Sequence, residues 1–367
     1  MLSHQSKFTK QRPTMADPKL TPGTLYIDRD QDLLSGDWGQ YIKIGIVRND
    51  KEAALRNKEH QTGNPRRIHV MHAFESTMVE DLETQLHHIF APHRVLGEWF
   101  LLDDQAVASR VIPEAKRIIA EQHRCLEAFQ SKAKLKTIES TDIVRAPTPE
   151  EIQLHSLVVK AKHELDIKQA KLDINKGMLI NCAKNSSGIS GVLELQRKLT
   201  KPTLQKPKLK TEHPEVYQHY ETIQLSEPKG SIMIKGTSSL KKLDKRLYDD
   251  KQQATGASAF SRRHLDMSLC ERNPTIIDYH SHYLRDLGGV AKARWIYESL
   301  RTDLALQLGH DEGIDGLIAW KRVCKEESKF DASTFAADHP VLYETYLAPE
   351  KTSVAIMISL CRPYNPE

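Results

Sequence analysis

The feature that most limits the fold of this chain is an internal repeat in its second half. Three short segments return in the same order at an offset of 124–126 residues: 188–191 at 313–316, 213–214 at 339–340, and 231–234 at 355–358. Matching segments at a nearly constant offset predict two copies of one structural unit. We therefore expect two repeated helix–strand–helix–strand modules, the first at 150–235 and the second at 275–367.

The segments around the two modules have the composition of connections. Residues 1–21 form a short basic arm, 103–138 are expected to form a connecting helix, and 139–149 form a linker. A second linker, 236–274, is polar, basic and contains Gly and Ser, so a mobile connection is expected there.

Positive charge is concentrated in and after the first module. From 196 to 246 there are 12 Lys or Arg residues against 5 Asp or Glu residues, a net charge of +7. Such a run is either a solvated surface or a surface that follows the phosphates of a nucleic acid. We predict that it helps to hold DNA.

The N-terminal unit has a different pattern, which predicts a small α+β domain at 22–102. Runs typical of strands occur at 24–27, 41–47 and 68–74, and 98–102 closes the unit. Helical composition precedes 60, and apolar residues at every fourth position from 77 to 90 predict a second helix. The expected fold is a three-stranded antiparallel sheet flanked by helices.

Composition excludes several classes of protein. No apolar run approaches the roughly 20 residues of a membrane helix, and the N-terminus has no apolar core of a secretory signal. The five cysteines are scattered and form no CxxC pair, which is typical of neither a disulfide framework nor a zinc finger. We expect a soluble, cytoplasmic protein with no membrane partner, and the formal net charge of +4 permits an anionic partner.

Polar side chains of the N-terminal unit fall on predictable faces. Strand alternation places Tyr26 with Asp28 and Lys43 with Gly45. A spacing of four places Arg56 with His60 on one helix, and Glu83 with His87 on the next. Taken singly, each of these residues can be read as a packing or surface residue. Together they supply the cations, base and carboxylate that phosphodiester hydrolysis requires.

Five motifs in order carry a resemblance to a known family: Leu-Tyr-Ile at 25–27, Lys-Ile-Gly at 43–45, the arginine at 56 with Gln-Thr-Gly-Asn-Pro at 61–65, Glu-x-x-Leu-His-x-x-Phe at 83–90, and Gly-Glu-Trp-Phe at 97–100. The N-terminal unit thereby resembles the GIY-YIG nuclease superfamily. It is most similar to a short phage-type branch with KIG and GEWF motifs, and the resemblance covers 22–102.

The resemblance implies a role for each matching residue. Tyr26 matches the tyrosine of the first motif, Arg56 the arginine that contacts the scissile phosphate, and His60 the histidine one turn later. Glu83 matches the glutamate that binds a single divalent metal, which implies Mg²⁺ or Mn²⁺. Lys43 stands where the family has a tyrosine beside the attacking water. A lysine ammonium is a poor base at neutral pH, so Lys43 would neutralise the phosphate and leave the proton to Tyr26 or His60.

The two modules resemble the C-terminal segment of phage recombinase exonucleases of the YqaJ type, but neither contains the acidic and ExK signature of that catalytic site. We therefore predict a metal-dependent DNA endonuclease of phage or mobile-element type. Two other hypotheses remain open. The domain could bind DNA without cutting it, or the modules could recruit a protein partner. A double-strand break would require two protomers, which leaves a homodimer on DNA open.

Overall fold

The N-terminal part of the protein is a five-stranded antiparallel sheet. In this computed structural model, residues 18–48, 61, 65–260 and 265–362 are described. The strand order is β3-β1-β2-β5-β4. The strands are β1 (Gly23–Gln31), β2 (Trp38–Arg48), β3 (Arg67–Ser76), β4 (Arg94–Leu96) and β5 (Trp99–Leu101). The predicted α+β class is confirmed.

The sheet has two more strands than the sequence predicted. The three expected strands form its centre, with β1 between β2 and β3. The closing segment pairs with the free edge of β2, where Lys43 lies opposite Trp99 and Tyr41 opposite Leu101. It then folds back on β4. Strands of three residues carry too little alternation to be recognised from sequence, and they form because β2 offers unpaired backbone groups.

The core of the N-terminal part lies between the sheet and two helices, α1 (Val79–Ile89) and α2 (Ile112–Lys136). Leu25 and Ile27 of β1 are fully buried against Leu82 and Leu86 of α1, as the spacing of four predicts. A short helical turn and a π-helical turn lead from residue 104 into α2, whose Ile118 belongs to the same core. The core therefore continues past the predicted boundary at 102.

Two long helices dominate the C-terminal part. They are α3 (Pro149–Ala183) and α8 (Pro274–Leu308), each 35 residues long and beginning 125 residues apart. The two helices pack against each other along their length. Helix α8 also approaches α1 closely, because a Cβ on Gly288 would lie 2.9 Å from the Cα of Ile89. The C-terminal part is thus packed on the helix that carries Glu83.

The short strands of the C-terminal part form two sheets of four strands. These strands are β6 (Val144–Arg145), β7 (Gly188–Ile189), β8 (Leu193–Thr200), β10 (Met233–Ile234), β11 (Leu269–Cys270), β12 (Gly313–Ile314), β13 (Ile318–Ala319) and β15 (Lys351–Ile358). Their orders are β10-β13-β12-β6 and β11-β7-β8-β15. Each sheet takes its central hairpin from one predicted module and its outer strands from the other. The segments 150–235 and 275–367 are therefore interleaved, and do not form separate sheets.

A glycine explains why one of the repeated segments is so similar in both modules. The turns between β7 and β8 and between β12 and β13 contain Gly191 and Gly316, whose φ angles are 67° and 69°. Side chains other than glycine rarely adopt this left-handed conformation. The Gly-Ile-x-Gly pattern thus encodes a hairpin turn at both places.

Four short helices and two strands form a further layer, which we call the aromatic cap. It consists of α4 (Lys206–Glu212), α5 (Pro214–His219), β9 (Glu221–Leu225), β14 (Glu326–Phe330), α9 (Ala332–Asp338) and α10 (Pro340–Thr345). Strands β9 and β14 pair with each other. The buried interior includes Leu209, Tyr217, Tyr220, Phe335 and Tyr346.

The segment predicted as a basic linker at 236–274 is largely helical. It contains α6 (Leu240–Leu243) and α7 (Lys245–Phe260). Ala254 of α7 is buried against α3, where a Cβ on Gly177 would lie 2.9 Å from its carbonyl. The expectation of a mobile connection was wrong, because a polar sequence needs only one small buried residue to dock on a neighbouring helix. Within the described ranges, no helix has the length and apolar character needed to cross a bilayer.

Candidate active site

The candidate active site lies on the face of the sheet where β1 and β2 pair. Tyr26 lies opposite Gly45 in the register, and its side chain is buried. A Cβ on Gly45 would be 2.5 Å from the Tyr26 hydroxyl oxygen. The glycine of the second motif is therefore required because the tyrosine of the first motif lies directly over it.

Lys43 connects three polar groups of the site. It lies opposite Asp28 in the register, and its side chain is only 11% exposed. Its ammonium nitrogen lies 5.8 Å from the centroid of the Tyr26 ring and 3.4 Å from a carboxylate oxygen of Glu98. The predicted placement of Tyr26 with Lys43 is confirmed, and Glu98 joins them from the loop before β5.

Asp28 is a buried acid in the floor of this site. Its side chain has no exposure to solvent. Burial raises the pKa of Asp28 to about 7, and the positive charge of Lys43 acts in the opposite direction. Sequence reasoning placed Asp28 on the same face as Tyr26 but did not include it among the candidate site residues. The available signal was its alternation with Tyr26 on a strand that is buried on both faces.

Glu83 faces a mixed set of charges. Burial and then the negative charge of Glu98 raise the pKa of Glu83 to about 7, while Arg94 and Arg48 lower it. Arg94 is held by a hydrogen bond from its Nε to the Gly97 carbonyl. Glu83 is thus linked electrostatically to Glu98, which pairs with Lys43, and the three residues belong to one charge network.

His87 shares a face of α1 with Glu83 but has a structural partner. Its Nε2 lies 2.8 Å from the Ile44 carbonyl oxygen, so this nitrogen donates the proton. Burial lowers the pKa of His87, which favours the neutral ring. The hydrogen bond fixes α1 to β2 beside the Lys-Ile-Gly motif.

Arg56 and His60, the two candidates on the first predicted helix, lie outside the described residues. The motif that follows them is anchored at its first residue. Gln61 donates from its side-chain nitrogen to the Arg66 carbonyl at 3.0 Å and accepts from the Ile68 backbone nitrogen at 3.0 Å. The chain after His60 is thereby joined to β3.

The donors of the site fit a hard cation shared with a substrate. Glu83 and Glu98 supply the oxygen ligands that Mg²⁺ and Mn²⁺ prefer. In the part of the chain that the structure describes, no three His, Cys, Asp or Glu side chains form a group that could hold a metal ion. An ion at Glu83 would need further oxygens from water and phosphate, as is usual for Mg²⁺.

Comparison with protein families supports the nuclease resemblance at a coarser level. Residues 23–122 match the T5orf172 domain. The T5orf172 domain is a phage-associated domain in the GIY-YIG/HNH-like endonuclease group, so this part of the chain is similar to nuclease-like or DNA-binding domains of phage type. No curated protein and no solved structure matches the chain.

The extent of the T5orf172 match agrees with the packing of the N-terminal part. It begins at the first residue of β1 and ends within α2. The buried core of the sheet likewise reaches Ile118 of α2. The domain as a packed unit therefore includes the first half of this helix.

Proposed function

We propose that the N-terminal domain is a metal-dependent DNA endonuclease of the GIY-YIG type. The similarity to the T5orf172 domain supports a nuclease-like or DNA-binding role. One observation favours catalysis: Lys43 lies between the Tyr26 ring and Glu98, and Glu98 interacts with Glu83. A phenol, an ammonium and two carboxylates thereby converge on the face where the resemblance predicts a catalytic centre.

Each residue of this network has a role in the proposed reaction. Glu83 holds Mg²⁺ or Mn²⁺, which when bound would stabilise the charge that develops on the phosphate. Arg56 contacts the scissile phosphate, and Lys43 adds a second positive charge beside it. Tyr26 or His60 takes the proton from the attacking water. Asp28, beneath Lys43, keeps a negative charge near the ammonium when it is ionised.

The test is cleavage of supercoiled plasmid by the purified protein with Mg²⁺, with and without a chelator. Glu83→Ala and Arg56→Ala should each abolish cutting, because the first removes the metal ligand and the second the contact to phosphate. Glu75→Ala is the matched control, since Glu75 is an exposed carboxylate on β3. Full cutting by Glu83→Ala would overturn the proposal.

A second candidate function is DNA binding without cleavage. Lys43 favours it, because an ammonium replaces the tyrosine that the nuclease family places beside the attacking water. Its signature is tight DNA binding with no metal-dependent cutting of any substrate. Lys43→Tyr would then be the informative variant, since it restores the residue of the family motif.

A further inference from the structure

The outer surface of the aromatic cap has three exposed lysines in a row on one short helix. Lys206, Lys208 and Lys210 of α4 are all exposed, and we call them the lysine row. The residue between the last two, Leu209, is fully buried in the cap. The helix thus presents one apolar side inward and three ammonium groups outward.

Aromatic rings of the cap support each lysine from below. The Nζ atoms of Lys206, Lys208 and Lys210 lie 5.6, 5.4 and 5.0 Å from the ring centroids of Phe330, Tyr346 and Tyr217. An ammonium over the face of an aromatic ring is attracted to it. Because the rings are buried, they restrict where the lysine stems lie and leave the charged ends at the surface.

The cap contains an internal control for the lysine row. Helix α9 begins 126 residues after α4 and has the same length of seven residues. His213 and His339 end the two helices with nearly the same backbone angles. Phe335 occupies the buried position of Leu209.

The side chains of the row differ completely on α9. The residues equivalent to the three lysines are Ala332, Thr334 and Ala336. A helix of the same form therefore builds its half of the cap without a single lysine. The lysine row is not required by this fold, and another demand explains it.

We propose that the lysine row binds the phosphates of double-stranded DNA. The inference rests on the proposed function, since it assigns a second contact surface for the DNA that the N-terminal domain would cut. A row of ammonium groups matches a linear polyanion, which binds by neutralisation of phosphates and release of counterions. Arg197, Lys198 and Lys201 continue the positive charge along the chain before α4.

The existing ion pairs of the row do not prevent this contact. Lys210 lies 2.8 Å from Glu221, and Lys208 lies 3.9 Å from Glu212 with both side chains about half exposed. Lys206 forms no ion pair with a carboxylate in the described ranges. Exposed pairs of this kind are weak, so the lysines can exchange a carboxylate for a phosphate.

The experiment measures how the affinity for a short DNA duplex depends on salt. It uses the full-length protein with Glu83→Ala and a chelator, so that no cutting occurs. The test variant replaces the row with the residues of α9: Lys206→Ala, Lys208→Thr and Lys210→Ala. Each phosphate contact contributes about 0.9 to the slope of log K against log salt, so the slope should become shallower by about 2 to 3.

Two controls separate the position of the charge from its amount. Replacing all three lysines with arginine should keep the slope. Replacing Lys116, Lys134 and Lys136, three exposed lysines of α2, with alanine removes the same charge elsewhere and should change the slope by less than one. Circular dichroism should find the same helix content in every variant.

The outcomes distinguish this inference from the proposed nuclease. An unchanged slope in the α9-like variant overturns the DNA contact even if the wild type cuts plasmid. A shallower slope with no cutting by any form supports the contact and removes the endonuclease. If the row instead binds polyglutamate and leaves the DNA slope unchanged, its partner is an acidic protein and the DNA assignment is wrong.

Discussion

The candidate active site and the aromatic cap use charge in opposite ways. In the active site, Asp28 has no solvent exposure and Lys43 very little. In the cap, the interior is aromatic and aliphatic, and its lysines lie outside. Withdrawing a charge from water costs stability unless the charge is paired, whereas an exposed charge costs almost nothing. The difference teaches that buried charge indicates chemistry, while exposed charge can change freely between α4 and α9.

The largest expected effect tests whether the interleaved halves of the C-terminal part fold as one unit. Phe335→Ala removes a fully buried ring and should lower the free energy of unfolding by about 3–5 kcal/mol. Leu209→Ala, at the equivalent position, should lower it by about 2–5 kcal/mol.

Urea denaturation followed by circular dichroism is the measurement for both cap variants. Because β9 pairs with β14 and β8 with β15 across the two segments, both substitutions should weaken the same transition. Leu34→Ala, at a fully exposed position, is the control and should change little. Two separate transitions, each sensitive to only one substitution, would contradict a single folding unit.

The next effect concerns the buried acid of the active site. A carboxyl whose folded pKa is raised binds more protons in the folded state, so its contribution to stability falls as pH rises from about 4 to 7. Asp28→Asn removes this loss. The stability of the variant relative to wild type should therefore increase over that range, by roughly 1 kcal/mol per pH unit.

The comparison with wild type is necessary because other groups titrate in the same range. Burial lowers the pKa of His88 to about 4, so His88 makes the protein more stable as pH rises from about 4 to 6.5. That contribution is shared by wild type and variant and cancels in their difference. A difference in unfolding free energy that stays flat between pH 4 and 7 would show that Asp28 is not an isolated buried acid.

A smaller effect tests the contact between the first two motifs. Gly45→Ala places a methyl group against the Tyr26 hydroxyl and should cost about 1–3 kcal/mol, with reduced plasmid cleavage. Gly256→Ala is the matched control, since that helical glycine has open space around it and alanine is the better helix former. It should be neutral or stabilising. Equal effects of the two substitutions would argue against the close approach of Tyr26.

The smallest effect is a shift in the pH dependence of cleavage. Glu83 must be ionised to bind a cation, and Glu98 raises its pKa. Glu98→Gln should therefore move the rise of cleavage to lower pH, measured as single-turnover rates between pH 5 and 9 in steps of about half a unit, a fraction of the roughly 1.4 kcal/mol per unit that governs such shifts. Glu75→Gln should leave the profile in place. A shift to higher pH would contradict the proposed repulsion.

Periodicity predicted most of the N-terminal part. The three central strands and α1 follow from alternation and from the spacing of Met78, Leu82, Leu86 and Phe90, all of which are buried. The strands at 94–101 were missed because they are only three residues long. The helical structure within 236–274 was missed because its contact with α3 depends on one buried alanine. Short or polar elements are specified by what they touch, and a local pattern does not contain that partner.

The candidate site was predicted in part. Tyr26, Lys43 and Glu83 were named from the resemblance, and the structure brings Tyr26 and Lys43 together. Arg56 and His60 stay predictions. Glu98 was part of a motif, but its pairing with Lys43 depends on the register between β2 and β5, which juxtaposes residues 55 positions apart. Asp28 was visible as a polar residue on a strand, but its burial depends on what covers the sheet.

The sequence alone determined the elements, the constant offset between the two segments, and the residue types of the site, because these depend on local spacing and side-chain chemistry. Tertiary structure decided which strands pair. From sequence, 150–235 and 275–367 read as two modules side by side, yet β15 pairs with β8 and β10 with β13. A short strand can satisfy its backbone hydrogen bonds with either copy, so the choice belongs to the packing of α3 on α8, which brings each hairpin next to the outer strands of the other segment.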